Sequence, residues 1–140
     1  MRFQKKGPVL LLVDGGGKPI TLEVTGVLTR QAAPNPSTRW YCAVQADDAA
    51  MSRLLEVDAV VKALPQPPTG SPLTGRSLLV KLPFANGRHG CSFVQDGAPG
   101  TSRLVTHPDD TPLTFQLEFG GVWVQHDKSG YTWKAKCVSR

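Results

Sequence analysis

Rings and cations alternate near the end of this chain. Tyr131 and Trp133 lead into Lys134 and Lys136, and Trp123 precedes them across the polar stretch His126 to Gly130. Earlier, Arg39 lies close to Tyr41, and Phe84 close to Arg88. Flat aromatic faces stack on unpaired bases while Lys and Arg pair with phosphates, so these residue types suit the binding of a nucleic-acid strand. Such chemistry is recognition: no bond is made or broken.

Other chemistry finds less support. His89-Gly90-Cys91 is the nearest approach to a metal-ligand pair, with His107, His126, Cys42 and Cys137 scattered elsewhere, whereas structural zinc sites carry two short-spaced pairs. A Ser-His-Asp triad lacks its Gly-x-Ser-x-Gly elbow. Asp14-Gly15-Gly16-Gly17-Lys18 contains the glycines of a phosphate loop, but Pro19 follows Lys18 and no helix signal comes next, so a turn is the simpler reading. Asp47-Asp48 is explained by a helix N-cap rather than by acid/base catalysis. The expectation is a binder that is not an enzyme, with no cofactor and no metal.

The 140 residues suit one domain, 1–140, large enough to bury a core without metals or disulfides. Gly 14 and Pro 12 imply many turns, hence mostly strands. Sixteen Lys and Arg against eleven Asp and Glu give a net charge of +5, which suits a polyanion. The excess gathers near the end, where Lys128, Lys134, Lys136 and Arg140 face only Asp127. The three cysteines are widely spaced, which fits free thiols in a reducing compartment. The apolar run Val9 to Val13 is too short for a signal peptide or a membrane span, so a cytoplasmic or nuclear protein away from membranes is expected.

The elements that must position these residues read as follows. Pro8 to Asp14 and Ile20 to Arg30 form a first hairpin, Ala32 to Thr38 a loop, and Arg39 to Gln45 a third strand with Trp40, Cys42 and Val44 on one face. A helix follows over Ala49 to Leu64, with the stripe Ala50, Leu54, Val57 and Val61. Pro65 to Gly75 is a loop. Ser77 to Phe84 and His89 to Gln95 flank an Asn86-Gly87 turn, and Ser102 to Thr106 is a short strand. Thr114 to Phe119 alternates in period two, Gly120-Gly121 breaks it as a hairpin, Val122 to Val124 resumes it, and Asp127 to Gly130 turns the chain into a last strand. Strands, one helix after the third, then further strands is the order of an OB-like five-stranded antiparallel barrel with added hairpins.

The segment GGVWVQHDKSGYTWKAKCV resembles the closing ribbon of OB-fold single-stranded DNA-binding proteins from double-stranded DNA viruses and phages. There a small residue and Val/Ile-Trp precede a polar turn, then Gly-aromatic-Thr-aromatic-Lys. The matching positions are Gly121, Val122 and Trp123, then Gly130, Tyr131, Thr132, Trp133 and Lys134, within a segment that makes up about a seventh of the chain. The resemblance implies a viral protein that protects the displaced strand during DNA replication. The chain departs from it in ending WKAKCVSR, which is basic, where many such proteins carry an acidic tail that recruits partners.

The expected ligand contacts are therefore Arg39, Tyr41, Phe84, Arg88, Trp123, Tyr131, Trp133, Lys134 and Lys136. On a strand Tyr131, Trp133, Ala135 and Cys137 share one face, and Thr132, Lys134 and Lys136 the other. With the aromatic face turned into a barrel, the lysine face lines the groove and Trp123, Tyr41 and Phe84 supply the stacking rings. Single-stranded DNA is the expected partner, with RNA open as an alternative. A β-sandwich structural or capsid-type protein, whose aromatics form core and subunit contacts, is the rival reading.

Overall fold

Short polar turns and alternating apolar residues set out a chain of strands, and the computed structural model describes residues 1–34 and 39–140 of it. β1 (Arg2–Lys6) and β2 (Val9–Val13) form an antiparallel hairpin about Gly7. β3 (Thr21–Gly26) and β4 (Leu28–Pro34) follow one another across Val27, and β5 (Trp40–Gln45) returns against β4. The helix α1 (Asp48–Lys62) begins where the Asp47 carboxylate accepts the Ala50 backbone N–H at 2.9 Å. Its buried face carries Ala50, Leu54, Val57 and Val61, as their spacing predicts, together with Asp58. Then come β6 (Leu73–Thr74), β7 (Ser77–Leu82), β8 (Phe84–Ala85), β9 (Arg88–His89), β10 (Ser92–Gln95), β11 (Ala98–Pro99) and the short helix α2 (Arg103–Thr106). Two long strands, β12 (Leu113–Gln125) and β13 (Lys128–Ser139), close the sequence of elements.

The chain is mostly β, with 54% of the described residues in strands and 14% in helices, in a multi-strand sheet that is not closed. Its pairing path runs β1-β2-β12-β13-β7-β5-β4, and β3 pairs with β12 beside it. β7 and β13 run parallel, as do β10 and β13, while β5 and β7 are antiparallel. The chain bends between β3 and β4 at Gly26, where an added Cβ would overlap the Gln45 carbonyl. Consequently, β3 can face β12 while β4 faces β5.

Several expectations are corrected. The helix follows the fifth strand instead of the third, because the basic segment before Gly7 is itself a strand and the second expected strand divides at Val27. Gly120-Gly121 does not reverse the chain. β12 runs through it with a register shift between Phe119 and Gly121, and Gly121 at φ 112 takes a conformation that other residues resist. The reversal lies at His126-Asp127, and Lys128, Ser129 and Gly130 belong to β13. Pro83 divides the expected strand Ser77 to Phe84, and Gly90-Cys91 divides the returning one, so that β10 leaves β9 and joins β13. Ser102 to Thr106 is helical rather than extended. Asn86-Gly87 does form the expected tight turn, both residues at positive φ. Of the expected loop Ala32 to Thr38, residues 35–38 lie outside the described residues, and Ala32 to Pro34 continue β4.

One cluster of apolar side chains fills the space between sheet and helix, with Trp133, Phe115 and Phe119 its largest fully buried members. Phe119 meets the edge of Trp133 at 5.6 Å between centroids and stacks on Tyr131 at 5.5 Å. Trp133 is 0% exposed, and its replacement leaves a large void. Trp133→Ala should therefore destabilise the protein by about 3–5 kcal/mol in chemical denaturation followed by circular dichroism. A stability within about 1 kcal/mol of wild type would remove Trp133 from the core.

Candidate nucleic-acid interface

Period-two alternation gives the sheet two faces. On β5, β7 and β13, Cys42, Val80 and Trp133 point into the core, so Tyr41, Lys81 and Lys134 point outward. Register places these three side by side, Tyr41 opposite Lys81 and Lys81 opposite Lys134. On this outer face lies a groove of about 930 Å³, within the range of ligand-binding clefts. A second cavity, between β3 and α1, is about 230 Å³ and lies on the core side of Trp133.

Among the described residues the groove is lined by Arg30, Arg39, Lys81 and Lys128 and by no Asp or Glu. Among the described residues none of these four cations has a carboxylate partner, and Lys134 beside them is paired with Glu118 at 3.4 Å. Lys81 has its pKa held below the usual lysine value, first by burial and then by Arg39 and Lys134. Like charges held together in this way are relieved by an anion.

Two rings border the cations. Tyr41 is half-buried, and Trp123 is 37% exposed. Trp123 stands opposite Gly130 on β13, where an added Cβ would come within 3.0 Å of Trp123 Cζ2. A bare backbone at Gly130 thus lets the indole lie close against the hairpin while it stays 37% exposed.

Of the residues singled out from the sequence, Arg39, Tyr41, Trp123 and Tyr131 line the groove. Lys134 adjoins it through Lys81, and Lys136 is exposed farther along the same face of β13. Tyr131 and Trp133 are core residues at 4% and 0% exposed, because their face of β13 turns inward, the arrangement in which the stacking rings come from neighbouring strands. Phe84 and Arg88 lie on the β8–β9 hairpin and are not among the residues that line the groove. Phe84 packs there against Trp40 at 5.6 Å and His89 at 5.0 Å, and burial lowers the His89 pKa. Sequence reasoning missed Arg30, Lys81 and Lys128. Lys81 did leave a signal, as the one charge in the apolar run SLLVKL.

The cysteines are free, and among the described residues no three His, Cys, Asp or Glu side chains are grouped to hold a metal ion. Cys42 is 0% exposed and its thiol is pushed up to about 12 by burial and by the neighbouring Cys91; Cys91, also buried, is pushed up to about 11. Thiolates are the reactive form, so Cys137, which is partly exposed, should be modified first by an aromatic disulfide at pH 8. All three should react after unfolding, and rapid modification of Cys42 in the folded protein would contradict the buried position.

One wall of the groove is tied down by polar contacts. Thr69 donates its backbone N–H to Ser129 Oγ at 2.9 Å, and the Gly70 N–H bonds the Ser129 carbonyl at 2.9 Å. Ser71 and Tyr131 donate their hydroxyls to Asp58, which also pairs with Lys62 Nζ at 2.8 Å. Burial opposes ionisation of Asp58, which is 5% exposed, but Lys62, Tyr131 and Ser71 outweigh it and hold the carboxyl below 3.8. A folded-state pKa below the unfolded value means stability that is present above the unfolded pKa and lost as pH falls through the folded one. Denaturation midpoints should therefore drop as pH falls below about 4, and Asp58→Asn should flatten that decline while lowering stability at pH 7. An unchanged acid limb in the variant would exclude this network as its source. Comparison of the chain with known protein families, with curated proteins and with solved structures found no match.

Proposed function

We propose that this protein binds single-stranded DNA without enzymatic action and with little sequence preference, and that it protects exposed strands during DNA replication. The observation that carries this reading is the groove, where four cations without a carboxylate stand beside Tyr41 and Trp123. Unpaired bases stack on such rings irrespective of sequence, because every base has a π face, and the cations follow the phosphates. An OB-like barrel is supported by the ladder β4-β5-β7-β13-β12-β3, whose two ends, β3 and β4, are successive halves of one chain segment. The helix between β5 and β7 departs from that reading. RNA presents the same phosphates and stackable bases.

The structural or capsid-type reading has one observation in its favour: Tyr131 and Trp133 are core residues, as they would be in a packing module. Gel shifts with single-stranded DNA, duplex DNA and RNA separate the two. Binding to a single strand should weaken with salt, with a log–log slope of about −0.7 for each phosphate contact. Lys81→Ala should reduce that slope by about 0.7, and Trp123→Ala should cost about 1–3 kcal/mol of affinity, both with near wild-type melting temperatures. A preference for duplex, or affinity indifferent to salt, would sink the reading, and failure to bind any of the three would favour the structural one.

A further inference from the structure

The residues around the groove belong to successive strands of the sheet. Arg30 lies on β4, Tyr41 on β5, Lys81 on β7, Thr132 on β13, Trp123 on β12 and Val9 on β2. That is the pairing order of the sheet, so a ligand lying along the groove crosses the strands one after another. The next strand in that order is β1, the outermost on this side.

What β1 presents there is basic. Lys6 stands directly opposite Val9, the residue that borders the groove, and opposed residues of an antiparallel pair share a face. Gln4 and Arg2 continue that face in period two. Their side chains end near one another, both within 4 Å of where a Cβ on Gly17 would sit. Arg2, Gln4 and Lys6 are exposed, and neither cation has a carboxylate partner among the described residues. The nearby Asp14 already accepts the backbone N–H groups of Gly16 and Lys18. From β4 to β1 there are six interstrand steps, about 29 Å along the sheet at about 4.8 Å each.

Resting on the nucleic-acid reading above, we infer that the bound single strand continues past Val9 onto the β1–β2 hairpin, where Lys6 and Arg2 hold its phosphates. The hairpin then acts as an extension of the groove, engaged only by ligands long enough to reach it. Basic residues on a free sheet edge also discourage strand addition by other chains, a role that would leave affinity for DNA untouched.

Fluorescence anisotropy with labelled oligothymidylates of about 4 and about 16 nucleotides, the two ends of the usual site-size range, tests this. The double variant Arg2→Ala/Lys6→Ala should bind the 4-mer as wild type does. It should bind the 16-mer several-fold more weakly at low salt, with the log–log slope reduced by about 1.4, one step of about 0.7 for each lost contact. Its melting temperature should match wild type. Equal affinity and slope for the 16-mer would overturn the extension alone, as would equal weakening with both lengths, which would make the hairpin part of the primary groove. A wild-type protein that binds neither length, with Trp123→Ala likewise without effect, would overturn the underlying reading and the extension with it.

Discussion

Between Tyr131 and Lys136 the side chains of β13 point alternately into the core and out to solvent, and both the stability and the surface chemistry of the protein hang on that alternation. Tyr131, Trp133 and Ala135 are buried against Phe119 and its neighbours, while Thr132 and Lys134 stand on the groove side. A shift of one residue in register would put an indole into water and two ammonium groups into an apolar core. Burying such charges without partners costs far more than any surface contact returns, so the register is held tightly. β12 and β7 hold it from the two sides.

The outer face carries an electrostatic imbalance that the fold alone does not explain. Arg39 and Lys134 depress the pKa of Lys81 together with its burial, and the groove offers no carboxylate to offset the repulsion. Elsewhere some cations are paired, as in Arg76 with Asp48 and Arg140 with Asp109, while others, Arg2 and Lys6 among them, have no carboxylate partner among the described residues. Leaving cations unpaired in one concave place is a cost in the free protein and a gain when a polyanion arrives. On the proposed reading that polyanion is a single strand, whose bases would also use Tyr41 and Trp123.

Asp58 shows how the wall of this groove is stabilised. A carboxylate 5% exposed is tolerated because Lys62, Ser71 and Tyr131 all contact it, and these partners come from the helix, the following loop and β13. The loop is thereby fastened at two points, at Asp58 and at Ser129. Tyr131, on the strand face expected to turn inward, serves in the structure as a buried strut whose hydroxyl has found its partner in Asp58.

Local pattern was sufficient for much of this chain. The apolar stripe of α1 with its Asp47 cap, the Asn86-Gly87 turn and the two faces of β13 from Tyr131 to Ala135 follow from spacing alone, because each depends on neighbours within a few residues; past Ala135 a register shift takes Cys137 off the buried face and puts Val138 there. The proximity of Arg39, Tyr41 and Trp123 was expected only as a set of residue types. Their meeting, and the addition of Arg30, Lys81 and Lys128, required strands distant in sequence to pair side by side. Glycines were legible as breaks but not in kind: whether Gly120-Gly121 turns the chain or bulges a continuous strand depends on Val9, Leu11 and Thr132 across the sheet. Likewise the polar segment Arg2–Lys6 lacks the apolar alternation of a strand and becomes one only because β2 offers it a free edge. Composition and periodicity determined a basic, mostly β chain with an aromatic ribbon at its end. Tertiary pairing alone decided which rings face the core and which cations share a groove, since both are set by contacts between segments that no local pattern encodes.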